Sequence, residues 1–184
     1  MKNSINTDDL VGAVGLKSNI KAESFKTSVT IGQTLQLDLD GMSEAPDKEW
    51  IKEHMSLSDV YLIFESSEGN YMIQGLRKRN FEDIITTLAG VKAEDPRHFK
   101  NFVRREGSVL RMSSKGDKPR PQLIDVVVKE HTFWNDGQLQ YSEPHLRFYS
   151  KVYPEMDIWS LMPVCELVGN TIETEKYLTK EVKE

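Results

Sequence analysis

The chain has 184 residues, of which 38% are hydrophobic and 29% charged, and its 24 Lys and Arg against 29 Asp and Glu give a net charge of −5. This length predicts one globular domain with arms, and the longest apolar run, at 60–64, is far shorter than the roughly 20 residues of a membrane-spanning helix. The single cysteine, Cys165, excludes an intrachain disulfide, so we expect a cytoplasmic protein, or one in host cytoplasm or a virion if its source is viral.

The N-terminal part of the chain changes character near residue 27. Residues 1–26 are polar and rich in small side chains, which predicts a flexible N-terminal arm. A strand is predicted at 27–40, with Gly32 as a bulge or bend. Its apolar residues occupy alternate positions and would form one buried face: Val29, Ile31, Leu35, Leu37 and Leu39.

Helix signals follow in the next third of the chain. A short helix at 47–54 precedes two strands, 60–65 and 71–76, whose polar connection predicts a hairpin. Asn80 can cap a helix that ends at Gly90, and Asp95 followed by Pro96 predicts a second helix through Arg105. The first of these two helices has one apolar face, which consists of Phe81, Ile84, Ile85 and Leu88.

Strands are predicted again in the C-terminal half. Residues 122–133 form an apolar run, and the Asn-Asp-Gly sequence at 135–137 is typical of a hairpin turn. Alternation predicts a strand at 145–153, and an apolar segment containing a proline predicts an edge strand at 159–168. The charged residues 170–184 are predicted to be a tail.

These elements predict a mainly β fold with one or two helices, of the α+β class. The core would be a single β-rich domain at 27–169, with a basic helical and loop region at 77–120. A small β-barrel or sandwich fits this order. An oligonucleotide-binding (OB) barrel also carries its helix after the third strand, so the order is OB-like, although element order alone is weak support.

Charge is distributed very unevenly along the chain. The stretch Arg77–Arg120 holds twelve of the 24 Lys and Arg but six of the 29 Asp and Glu, so its net charge is +6, whereas the rest of the chain carries −11. Segregation of this kind predicts an anion-binding surface without identifying the anion. A solvated protein surface, in which the cations pair with nearby acids, is the alternative for each cluster.

The predicted strand at 145–153 would add aromatic groups to that surface. Alternation places two cations and two tyrosines on one face, an arrangement in which cations neutralise phosphates and rings stack on bases. An ordinary outer sheet face is the alternative, because Tyr, Lys and Arg are common there. The predicted nucleic-acid-binding residues are Arg77, Lys78, Arg79, Lys100, Arg104, Arg105, Arg111, Arg147, Tyr149, Lys151 and Tyr153.

Catalytic and metal sites have little support in the sequence. The four histidines do not form a zinc-binding motif with one another or with Cys165, so no metal and no cofactor is predicted. His131 and His145 could approach across a hairpin as acid and base, but surface roles are more typical. Asp38 and Asp40 lack calcium-loop spacing. No nucleophile–base–orienter set is recognisable, so we predict that the protein is not an enzyme.

The sequence therefore favours a non-enzymatic nucleic-acid-binding protein that binds single-stranded DNA or RNA through the basic region and the cationic-aromatic strand face. The alternative is a structural or assembly protein of a viral particle or another large complex. In that case the basic region would contact an acidic partner surface, and copies of the chain could associate into a homo-oligomer. No membrane partner is predicted.

Overall fold

The computed structural model describes residues 13–24, 27–55, 59–92, 94–114, 117–129 and 139–177. Several sequence predictions lie outside these residues: the arm before residue 13, the hairpin turn at 135–137, His131, and the tail after residue 177. Within the described ranges the fold is mainly β with antiparallel sheets and several helices, which confirms the α+β prediction.

Ten strands and four α-helices make up the described chain. The strands are β1 (Ala13–Ser24), β2 (Thr27–Gln33), β3 (Gln36–Leu39), β4 (Val60–Ser67), β5 (Asn70–Gly75), β6 (Val109–Arg111), β7 (Gln122–Val128), β8 (Gln140–Ser142), β9 (Glu166–Val168) and β10 (Thr171–Tyr177). The helices are α1 (Lys48–His54), α2 (Phe81–Gly90), α3 (Pro96–Arg105) and α4 (Glu143–Val152), with 3₁₀ helices at Pro154–Met156 and Ile158–Leu161.

The strands form three sheets. In the first, β1 lies between β10 and β2 and also pairs with β6. The second has the antiparallel order β3-β5-β4-β7, and the third is the parallel pair β8–β9. Among the described residues these strands do not close into a barrel.

The extended segment predicted at 27–40 is found as two strands that connect the first two sheets. Its predicted buried face is wrong at Val29, which is 58% exposed, because β2 has a solvated face near its start. The first half of the segment is β2, which pairs with β1, and its second half is β3, which pairs with β5. The register against β1 shifts next to Gly32, as a bulge requires. The chain thus passes from one sheet to the other with only two residues, Thr34 and Leu35, between the strands.

The second sheet is covered on both faces, and β4 shows this most clearly. Successive side chains of a strand point to opposite faces. Val60, Leu62 and Phe64 pack in one apolar cluster with α4, whereas Tyr61 and Ile63 pack in another with α1, α2 and α3. Helices α3 and α4 therefore lie on opposite faces of this sheet.

The first sheet includes residues 13–24 and 171–177, which corrects the predicted arm and tail for those residues. Residues 13–24 form β1, and 171–177 form β10, which pairs with it antiparallel. Leu16 and Ile20 are fully buried anchors of β1. The two strands otherwise contain many polar residues, and they are held together by antiparallel pairing and by bonds from Lys17 and Lys21 to Glu173 at 3.1 and 2.6 Å. Because the apolar residues of β1 and β10 form only a weak pattern, the sequence did not predict these two strands.

The strand predicted at 145–153 is wrong, because these residues belong to α4. Ser142 is the N-cap and Pro144 lies in the first turn, where a missing N–H costs nothing. Buried Leu146, Tyr149 and Val152 recur at helical spacing. The strand predicted at 159–168 is also mostly wrong, since its first part is a 3₁₀ helix and only β9 is extended.

Candidate nucleic-acid interface

Helix α3 is the most basic exposed element of the described chain. Both of its sequence signals are confirmed, because the Asp95 carboxylate accepts a hydrogen bond from the Arg97 N–H at 2.9 Å and Pro96 occupies the first turn. Phe102 is fully buried and stacks on Phe81 of α2, with ring centroids 5.3 Å apart. This apolar contact fixes which face of α3 is turned to solvent.

The solvent face of α3 carries cations and no acid. Lys100, Arg104 and Arg105 are exposed, and within the described ranges none of them forms an ion pair. Arg97 is also exposed, but it lies 3.4 Å from an Asp95 oxygen and 3.9 Å from an Asp40 oxygen. Arg97 is not among the predicted binding residues, although it belongs to the same basic stretch.

A buried acid–histidine contact anchors α3 to the second sheet. His98 Nδ1 bonds to one Glu94 carboxylate oxygen, and the other accepts from the Asp38 N–H at 3.0 Å. Burial alone would lower the pKa of His98. The hydrogen bond to Glu94 and the Glu94 charge have a larger combined effect, so the pKa of His98 is raised above 6.5. Burial raises the pKa of Glu94 in turn. The pair holds the basic helix at the end of β3.

The predicted basic triplet at 77–79 is mostly part of the fold. Arg79 is buried and donates to Asp59 at 2.8 Å and to the Tyr61 hydroxyl at 2.9 Å, so it cannot contact a nucleic acid. Lys78 is half-buried and its Nζ donates to Gln140 at 2.8 Å. Arg77 is half-buried beside β8, where it forms a bridge with Tyr141.

Arg111 also has a structural role. Its Nη1 donates to the carbonyl oxygens of Ser113 at 2.7 Å and Pro119 at 2.5 Å, so one side chain ties both ends of the loop that follows β6. Burial lowers the pKa of Arg111, with the Asp38 charge opposing that effect. The loop was predicted from sequence, but this contact was not.

The cationic-aromatic face predicted at 147–153 is absent, because a helix separates its members. Tyr149 is fully buried and donates to Gln74 at 3.0 Å, and Tyr153 is 3% exposed and donates to the Pro121 carbonyl at 3.1 Å. Burial raises the pKa of Tyr153 to about 12. Arg147 and Lys151 are exposed, but Arg147 pairs with Glu143 at 2.5 Å. Neither ring is available for stacking on a base.

The predicted residues do not converge on one groove. Lys100, Arg104 and Arg105 lie on α3, whereas Arg147 and Lys151 lie on α4, and these helices cover opposite faces of the second sheet. Instead, the C-terminal end of α3 lies beside β1. A cleft of about 190 Å³ there is lined by Lys17, Asn19, Arg105, Gly107, Ser108 and Val109.

Groups that could perform catalysis or hold a metal are few. Within the described ranges no three His, Cys, Asp or Glu side chains form a possible metal site. His145 is fully buried, donates from Nε2 to the Lys17 carbonyl at 2.9 Å and accepts from Ser142 at Nδ1, and burial lowers its pKa to about 4. The predicted approach of His131 to His145 lies outside the described residues. Burial raises the pKa of the Cys165 thiol.

Comparisons with family models, with curated proteins and with solved structures found no match for this chain. Among the described residues no helix is both long and apolar enough to cross a membrane.

Proposed function

We propose that the protein is a non-enzymatic nucleic-acid-binding protein that contacts phosphates through the solvent face of α3. The observation that carries this proposal is the acid-free sequence of α3 with exposed Lys100, Arg104 and Arg105, which have no acidic partner within the described ranges. Unpaired cations on one face release counterions when they meet phosphates, which drives binding. The alternative is that Arg104 and Arg105 only complement the negative C-terminal end of the helix dipole.

This proposed interface is smaller than the one predicted from sequence. Arg79, Tyr149 and Tyr153 are excluded by burial, and Arg147 with Lys151 lies on the other side of the sheet. Loss of the two rings removes the reason for preferring single strands, since stacking was the basis of that preference. Phosphate contacts remain, and they carry no base sequence information.

The OB-like architecture stays a hypothesis beside this proposal. An OB-fold binds oligonucleotides across its strands and adjoining loops. The proposed interface lies on a helix and on the cleft beside β1, so it does not depend on a barrel. The proposed nucleic-acid binding therefore does not require the strands to form an OB barrel.

Fluorescence anisotropy with labelled single-stranded DNA, single-stranded RNA and duplex DNA tests the proposal. We expect binding in low salt that weakens as salt rises. For three or four phosphate contacts the logarithmic slope should be roughly −2 to −3 with single strands and roughly −2.7 to −3.6 with the duplex. Absence of binding to all three probes in low salt would refute the proposal. A slope near zero would show that α3 cations do not drive the binding.

The second candidate is a structural or assembly protein, and a different observation favours it. Four large apolar side chains that lie close together in the sequence after α4 are exposed: Trp159, Leu161, Val164 and Leu167. Exposed apolar patches of this kind are typical of surfaces that contact another protein. Under this candidate the basic helix would contact an acidic partner surface.

A further inference from the structure

The segment at 154–168 displays an unusual density of apolar side chains. It contains four of the seven large hydrophobic residues that are exposed in the described chain. Val164 is completely exposed, and Trp159 is 44% exposed. Single exposed apolar residues are ordinary, but four within nine positions are not.

Both ends of this segment are held firmly by the fold. At its start, Ile158 is fully buried and Asp157 has a left-handed backbone with φ of 39°. The Asp157 carbonyl accepts from the Ser160 N–H at 3.0 Å. At its end, Glu166 pairs with Gln140 through a side-chain bond of 2.8 Å. The apolar side chains between these anchors are thus presented to solvent by an ordered backbone.

The charges of this segment are the opposite of those on α3. Residues 154–168 contain three acids and no base, whereas α3 contains four Lys and Arg and no acid. Helix α3 also exposes an apolar side chain among its cations, because Val103 is 43% exposed. An acidic apolar surface and a basic surface with an apolar centre are complementary in both properties.

We propose that the surface at 154–168 binds α3 of a second copy of this chain. Pairing of the acidic surface with itself would bring together two surfaces that each carry acids and no base, so a twofold contact of like surfaces is disfavoured. The two surfaces lie on opposite sides of the second sheet, since Ile158 packs with α4 and Phe102 packs in the other cluster. Such a contact is head-to-tail and generates an open chain or a ring.

This inference rests on the second candidate function, assembly, and it has a consequence for the first, nucleic-acid binding. The α3 cations would be shared between the neighbouring copy and nucleic acid. Added oligonucleotide is then expected to compete with assembly. Val164 lies away from α3, so its substitution separates the two functions.

Sedimentation velocity across a concentration series tests the contact in the full chain. The wild-type protein is expected to grow beyond a dimer as concentration rises, and Val164→Asp or Trp159→Ser is expected to keep it monomeric. Val29→Asp is the matched control, because Val29 is 58% exposed on β2 and should leave assembly unchanged. A wild-type chain that stays monomeric at the highest attainable concentration would overturn the proposal.

Mixing two variants tests whether the two surfaces contact each other. Val164→Asp retains a normal α3, and Arg104→Glu retains a normal surface at 154–168. Each alone should be monomeric, while an equimolar mixture should form dimers and nothing larger. A mixture that stays monomeric overturns the proposed pairing, as does a larger assembly formed by either variant alone. Oligonucleotide binding retained by Val164→Asp shows that failure of assembly is independent of the proposed nucleic-acid function.

Discussion

Arg79 donates from Nη2 to Asp59 Oδ2 at 2.8 Å inside the core, where 1% and 0% of the two side chains are exposed. The other Asp59 oxygen accepts from the backbone N–H groups of Val60, Leu76 and Arg77 at 2.7–3.0 Å. Burial raises the pKa of Asp59, and the Arg79 charge and hydrogen bonds oppose that effect. A cation at the start of the predicted basic stretch therefore forms a structural contact between the residue before β4 and the segment after β5.

Breaking this pair from one side is expected to destabilise the protein severely. Arg79→Met leaves the Asp59 carboxylate buried without its cation, which typically costs about 3–5 kcal/mol. Equilibrium urea denaturation measures the change in free energy of unfolding. Lys100→Met is the control, because Lys100 is exposed on α3 and its loss should change stability by less than about 0.5 kcal/mol. Equal stability of the two variants would contradict this role for Arg79.

Tyr149→Phe distinguishes a structural tyrosine from a stacking one. The substitution removes the hydroxyl that donates to Gln74 Oε1 at 3.0 Å, while the same oxygen keeps its hydrogen bond from Gln36 at 2.9 Å. We expect a loss of about 0.5–1.5 kcal/mol in the free energy of unfolding and unchanged oligonucleotide affinity. Tyr149→Leu should likewise leave affinity unchanged if the variant folds. Loss of affinity with unchanged stability would restore the stacking role predicted from sequence.

Local signals in the sequence predicted the elements whose contacts are local. Asn80 and Asp95 accept from N–H groups two or three residues further on, so the starts of α2 and α3 could be identified correctly. The alternation at 27–40 identified the path of β2 and β3. Helix α4 was missed because its sequence, HLRFYSKVY, satisfies a period of two as well as a period near 3.6.

Contacts between distant residues could not be predicted from one sequence. In the sequence Arg79 resembles the other cations of the basic stretch until Asp59, twenty residues earlier, is known to lie beside it. Strands β1 and β10 are more than 140 residues apart, and their polar surfaces are stabilised by pairing with each other. The separation of Arg104 from Arg147 likewise depends on which face of the sheet each helix covers. The charge pattern predicted the basic helix. It did not show that the predicted cations lie on two faces of the sheet and do not line one groove.

His145 is expected to make the protein sensitive to acid. Burial lowers its pKa from 6.5 to about 4, so between these values the unfolded chain binds a proton that the folded protein does not. Stability from the neutral imidazole is complete above pH 6.5, falls as pH drops toward 4, and decreases by about 3 kcal/mol in total. Urea denaturation at a series of pH values measures this slope.

The matched variant for that series is His145→Gln, which removes the titrating group. Its stability is expected to be lower at neutral pH, because the bonds to Ser142 and the Lys17 carbonyl are altered. The difference between wild type and variant should shrink as pH falls from 6.5 to 4. Other groups with shifted pKa values, such as Glu94 and His98, contribute equally to both proteins and cancel in this comparison. A difference that is constant with pH would contradict the role assigned to His145.

Reversal of charge on one helix at a time separates α3 from α4. Two double variants are compared. One carries Lys100→Glu and Arg104→Glu on α3, and the other carries Arg147→Glu and Lys151→Glu on α4. Both change the net charge equally, but on opposite faces of the second sheet. If α3 contacts phosphates, the first double variant should bind oligonucleotides at least tenfold more weakly and reduce the salt slope by about 2. The second should keep the wild-type slope, because its cations lie away from the interface.

The α4 variant is a stringent control, because reversing Arg147 also breaks its pair with Glu143 and places like charges four residues apart. That repulsion costs only about 0.2–0.5 kcal/mol, so the variant should fold. Equal losses of affinity in both variants would indicate attraction by overall charge and contradict a defined interface on α3. A loss confined to the α4 variant would place the interface on the other face of the sheet. A loss confined to the α3 variant, with the smaller salt slope, is the outcome that the exposed and unpaired cations of α3 predict.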